Sequence, residues 1–143
     1  MVNAIELRTR TATLADAAAI ATIYNKGIAD RIATFETKPR TTGQIGAWFK
    51  PGHVIVMSET RAVGPVAPAA SFPYSARPCY AGIGEFSVYV ARAYGGCGDG
   101  CAVLGLGFAQ IGIHRRYARL DGFRRDCVII ERLLETGDGE HKG

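Results

Sequence analysis

The stretch Glu85–Leu104, EFSVYVARAYGGCGDGCAVL, constrains the fold more than any other part of the chain. Ser87-Val88-Tyr89-Val90 is β-branched and aromatic, the composition of a strand that is at least half buried. The glycine-rich run Gly95-Gly96-Cys97-Gly98-Asp99-Gly100 follows, and Cys101-Ala102-Val103-Leu104 then resumes an apolar run that predicts the first turn of a helix. Missing Cβ atoms in such a turn let the backbone come close to a ligand. Successive N–H groups and a helix N-terminus can then face an anion such as a pyrophosphate. Taken alone, the turn suits several cofactors equally.

The rest of the chain predicts an alternating α/β order, with a single domain over 1–135 and a polar tail over 136–143. Ile5, Leu7 and Thr9 alternate with Glu6 and Arg8, which predicts a first strand. Thr13-Leu14-Ala15-Asp16 resembles a capping box and opens a helix to about Ala29. Ala17, Ile20, Ala21, Tyr24 and Ile28 share one face of it. Thr41 and Gln44 open a second, short helix through Trp48 and Phe49, which Pro51-Gly52 ends. Val54 to Met57 and Val66 to Phe72 read as strands paired around Val63-Gly64-Pro65. Pro68 interrupts the second and predicts an edge, a bulge or a break. Ala109 to Tyr117 and Cys127 to Leu133 read as a hairpin around Asp121-Gly122.

At 143 residues, 48% hydrophobic and 21% charged, the chain has the size and composition of one globular domain. It has no apolar run of membrane-spanning length, and its first residues lack the basic-then-apolar pattern of a signal peptide. A cytoplasmic protein with no membrane partner is expected. The net charge is +4, and Arg115, Arg116, Arg119, Arg124 and Arg125 crowd together among Asp121, Asp126 and Glu131. A solvated hairpin face, attraction for an anionic ligand, and nucleic-acid contact are all compatible with that cluster. No nucleic-acid motif accompanies it, so no nucleic-acid partner is expected. Cys79, Cys97, Cys101 and Cys127 have no zinc-like spacing, and His53, His114 and His141 stand apart from them. Free thiols, surface or loop histidines and no metal are expected.

The pattern E-x-x-V-Y-V ahead of the glycine turn resembles the acetyl-CoA motif of the GNAT superfamily of N-acetyltransferases. Tyr74-Ser75-Ala76-Arg77-Pro78-Cys79-Tyr80 resembles the substrate-side loop of its phosphinothricin acetyltransferase branch. Further matches are Ile23-Tyr24-Asn25, the run Ala33 to Thr41, and Arg116 to Val128, so the resemblance spans Ile5 to Leu134. It implies a mixed, mostly antiparallel central sheet flanked by helices. It also implies acetyl-CoA as co-substrate and a small amino acid-like amine as acceptor; a homodimer is expected on separate grounds, because a shortened sheet leaves strand edges for a second copy to pair with. Glu85 becomes the candidate base that takes the proton of the attacking amine. Val88, Tyr89, Val90, Gly95, Gly96, Cys97, Gly98, Asp99 and Gly100 become candidate cofactor contacts, and Phe35, Arg77 and Tyr80 candidate substrate contacts. Read from their residues alone, Glu85 is a charge on the wet face of a strand, while Arg77 and Tyr80 are equally substrate contacts or an ordinary surface loop.

Two departures accompany the resemblance. Gly95 stands where the family carries Arg or Gln. Leu104 joins directly to Gly105-Leu106-Gly107-Phe108, where the family has the rest of a helix, a central strand and another helix. Roughly 40 residues are absent there, since a crossover needs a dozen or more residues per element. The expected domain is therefore shortened in its C-terminal half. Three outcomes stay open: a working N-acetyltransferase, an inactive CoA-binding relative, and a structural module completed by another chain.

Overall fold

Over residues 6–31, 34–94 and 109–134, which the computed structural model describes, the hydrophobic periodicities become one helix-covered sheet and one hairpin. They belong to two compact units, Met1–Gly95 and Gly96–Gly143. In the first unit, α1 (Ala17–Asp30) buries Ala17, Ile20, Ala21, Ile23, Tyr24 and Ile28 along one stripe, as 3.6-residue spacing requires. A short 3-10 turn, Leu14–Asp16, precedes it, and the Thr13 N–H donates to Asp16 Oδ2 at 2.8 Å. Arg31, in the left-handed region at φ 59°, ends it.

The next helix, α2 (Thr42–Gly46), is shorter than its sequence predicts. Its start has a reciprocal cap: Gln44 N–H donates to Thr41 Oγ1 at 3.1 Å, and Thr41 N–H to Gln44 Oε1 at 2.9 Å. Gly43 and Gly46 weaken the helix that follows, and it unwinds into turns through Trp48 and Phe49.

Four antiparallel strands follow the order β1 (Leu7–Thr11), β2 (Val54–Thr60), β3 (Gly64–Pro73) and β4 (Gly84–Val88). Ile55 and Met57 on β2 and Val66 and Ala70 on β3 are buried at every second position. Ile20, Ile45, Met57 and Val66 are the largest fully sealed side chains, so the core lies between the helices and one face of the sheet. The expected α/β class with an antiparallel sheet is thereby observed. Pro68 lies in neither an edge strand nor a break. It sits inside β3, opposite Met57, two residues from a register shift at Ser58/Glu59.

In the second unit, β5 (Ala109–Leu120) and β6 (Phe123–Glu131) pair around Asp121 at φ 51° and Gly122 at φ 82°. Positive φ at both loop positions is the type I′ geometry that the Asp-Gly pair predicts. The ladder shifts between His114↔Cys127 and Ala118↔Arg125, leaving Arg115, Arg116 and Tyr117 to face Asp126. The Asp126 carboxylate accepts from the Arg116 N–H at 2.9 Å and from Arg115 Nη1 at 3.2 Å, closing the bulge. The glycine turn at 95–100, the Leu104–Gly105 junction, Cys97, Cys101, His141 and the tail over 136–143 lie outside the described residues.

Candidate active site

Antiparallel pairing sorts the backbone groups of β4 between two edges. Tyr74 N–H donates to the Ile83 carbonyl at 2.9 Å, and Tyr89 N–H to the Pro68 carbonyl at 3.0 Å. Residues 83, 85, 87 and 89 therefore aim their backbone groups at β3, and 84, 86, 88 and 90 aim theirs outward. No strand pairs with that outer edge among the described residues. Of Val88, Tyr89 and Val90, the first and last aim their N–H groups outward, and the Tyr89 N–H is committed to Pro68.

Side chains alternate between the two faces of the sheet. Glu85, Ser87 and Tyr89 share the helix side with Phe72, which stands opposite Glu85 in the register. Glu85 is exposed there. Next to it runs a chain of aromatic rings. Tyr24 of α1 meets Tyr89 at 4.8 Å and Trp48 at 5.7 Å, both edge-on. Trp48 meets Phe72 at 5.8 Å, and Phe72 meets the His53 ring at 4.7 Å. Burial pushes the Tyr89 phenol above its ordinary value, the neighbouring Tyr24 adds to the rise, and Ser87 opposes it.

His53 lies in the loop just before β2, as the sequence predicts. It is half-buried, with Nδ1 2.9 Å from the Trp48 carbonyl. The sequence could not mark these contacts, because the partners come from the turn after α2 and from β3. The neighbouring depression, about 400 Å³ and wide open, is lined by Thr11, Phe49, Pro51, His53 and Ile55 and lies toward β1.

The loop between β3 and β4 carries the proposed substrate contacts. Arg77 lies over the Tyr80 ring at 5.9 Å, and Tyr80 meets Tyr74 edge-on at 5.5 Å. Both therefore project from the end of the strand pair that bears Glu85. Phe35 is half-buried in the connection from α1 to α2. That connection is held by Asn25, whose Nδ2 donates to the Arg40 carbonyl at 2.9 Å while its Oδ1 accepts the Arg40 N–H at 2.8 Å. The Glu36 charge raises the Tyr89 phenol slightly and the Arg40 charge opposes it. The structure thus gathers Arg77 and Tyr80 into one loop and joins Tyr89 to the aromatic chain. Gly95 to Gly100 lie outside the described residues.

Comparison with known proteins supplies the chemistry that this geometry frames. No protein-family model matches the chain. A Bacillus subtilis protein, YwnH, named for phosphinothricin acetyltransfer, is 30% identical over 164 residues, covering 87% of this chain and 98% of YwnH. Phosphinothricin N-acetyltransferase of Streptomyces coelicolor is 28% identical over 127 residues, covering 82% of this chain and 74% of the relative. Among solved structures, a GNAT superfamily phosphinothricin acetyltransferase from Sinorhizobium meliloti, in complex with AcCoA, aligns with a TM-score of 0.76. It is 19% identical, covering 87% of this chain and 86% of that one. The match to YwnH extends over more residues than the 143 of this chain, so it crosses gaps on this side.

Proposed function

The chain belongs to the phosphinothricin acetyltransferase branch of the GNAT N-acetyltransferases, and from that membership we propose that it acetylates the amine of a small amino acid-like substrate. Phosphinothricin, arsinothricin and methionine sulfoximine are the acceptor types, and acetyl-CoA is the acyl donor. The observation that carries this reading is the pairing, on one strand, of an exposed carboxylate with outward-facing N–H groups. Glu85 lies toward the substrate loop, and Val88 and Val90 follow it along the edge that no strand pairs with among the described residues.

The chemistry follows from that order. The amine must lose a proton to have a lone pair for attack, and Glu85 accepts that proton directly or through a water. The lone pair forms a C–N bond to the thioester carbonyl carbon, whose oxygen takes up negative charge. An outward N–H of Val88 or Val90 stabilises that oxyanion, an effect worth about 3 kcal/mol per donor. Collapse re-forms the carbonyl and breaks the C–S bond, and the departing thiolate takes up a proton. Arg77 supplies a planar, permanently charged fork for the substrate's carboxylate or phosphinate, Tyr80 a further hydrogen bond, and Phe35 an apolar wall. Gly95, Gly96, Cys97, Gly98, Asp99 and Gly100 would cradle the CoA pyrophosphate. A homodimer in the cytoplasm completes the reading.

The gaps in the YwnH alignment favour one alternative, a shortened relative that binds acetyl-CoA without turnover. One experiment separates the two: acetyl-CoA affinity by calorimetry, together with thioester release in the presence of phosphinothricin. The proposal expects both binding and acceptor-dependent release. Binding without release establishes the alternative, and no binding overturns both.

A further inference from the structure

Pro68 stands where a proline is least tolerated, inside a strand with neighbours on both sides. Its orientation explains why it is accepted. The Pro68 carbonyl receives the Tyr89 N–H at 3.0 Å, so the backbone nitrogen of Pro68 also faces β4 rather than β2. A rung of this kind ordinarily carries a second bond, from the N–H of residue 68 back to the Tyr89 carbonyl. Proline has no N–H, so that bond cannot form. The open rung falls one residue beyond Val88, the last residue of β4. The following bond, from Ala91 N–H to the Val66 carbonyl at 2.7 Å, is again donated from the β4 side.

The Tyr89 carbonyl and the Val90 N–H belong to one planar peptide unit. A closed rung would fix both, with the carbonyl toward β3 and the N–H directly outward. Here the residue is anchored by its own N–H on Pro68 and by its ring against Tyr24 at 4.8 Å, while its carbonyl receives no bond from residue 68. We propose that Pro68 is a positioning residue: by leaving this rung open, it lets the Tyr89–Val90 peptide tilt until the Val90 N–H meets the thioester oxygen. The inference rests on the proposed acetyl transfer and adds to it the residue that sets the donor's aim.

The test is Pro68→Ala, which restores the missing N–H, with Pro65→Ala as a control. Pro65 lies in the same strand opposite Glu59, away from the Tyr89 rung. In Pro68→Ala the new amide at position 68 should exchange at least roughly tenfold more slowly than an unbonded amide. Thioester release should lose about tenfold in kcat, with the KM for the amine within about twofold. Pro65→Ala should keep kcat within about twofold of the unsubstituted protein. A fast-exchanging amide at position 68, or a slow one with unchanged kcat, overturns the inference while leaving the proposed function standing. Equal losses in both variants also overturn it. Absence of acceptor-dependent release from the unsubstituted protein contradicts the function and the positioning role together.

Discussion

At the β1 side of the sheet, Arg10 binds two carboxylates at once, whereas at the β4 side Glu85 stands exposed with no ion pair among the described residues. Arg10 donates Nη1 and Nη2 to the two oxygens of Asp16, both at 2.8 Å, and Nε to Glu59 at 3.0 Å. That network ties β1 to the start of α1 and to β2, and it leaves the buried Asp16 fully satisfied. The β4 side has the reverse features: a rung opened by a proline, outward N–H groups and an uncompensated carboxylate. Paired charge fixes geometry but is chemically inert. Unpaired groups contribute little to stability and remain available for a substrate. Substitutions at the two sides should therefore fail differently.

The largest expected effect is at Glu85. Glu85→Gln should lower kcat roughly 10³-fold at neutral pH, about 4 kcal/mol of barrier, and leave the melting temperature unchanged. The loss should shrink as pH rises, because more of the amine is then already neutral. Full turnover across the pH range would remove Glu85 from the mechanism. Next comes Met57→Ala, which empties a sealed core position and should cost about 3 kcal/mol by denaturant unfolding.

Asp16→Asn should cost about 2 kcal/mol, with kcat intact at temperatures where the variant stays folded. Hydrogen bonds from Arg10 hold the Asp16 carboxyl at about 2, below its ordinary 3.8. A lowered native value stabilises the fold above the unfolded value, and this contribution drains away as pH falls from about 4 to about 2. The Asn variant should lose that part of the acid transition, and an unchanged acid limb would contradict the assignment. The smallest effect is at Arg77, where Arg77→Ala should raise the KM for the amine about fivefold with little change in melting temperature. A loss of stability there instead would identify Arg77 as a structural residue.

Local signals were the legible ones. The stripe of Ala17, Ile20, Tyr24 and Ile28, the Thr41–Gln44 cap and the Asp121-Gly122 turn each need only near neighbours, and each appears where the sequence predicts it. The second helix ended early because its glycines weaken it beyond what its cap can hold. Groups assembled across the sheet were not legible. Arg10 and Glu59 lie 49 residues apart, and the ring chain from Tyr89 to His53 crosses α1, the turn after α2 and β3. For Pro68 the sequence carried a conflict without its resolution. Which side of β3 lacks the donor depends on register, and only pairing with Tyr89 sets it.

The claim that the outer edge of β4 receives the acyl donor is tested most directly by following backbone amides by NMR as acetyl-CoA is added. The account predicts large shifts at Val88 and Val90 and a much smaller one at Tyr89, whose N–H is held by Pro68. Saturable binding that leaves Val88 and Val90 unmoved, or that shifts Tyr89 most, would contradict it.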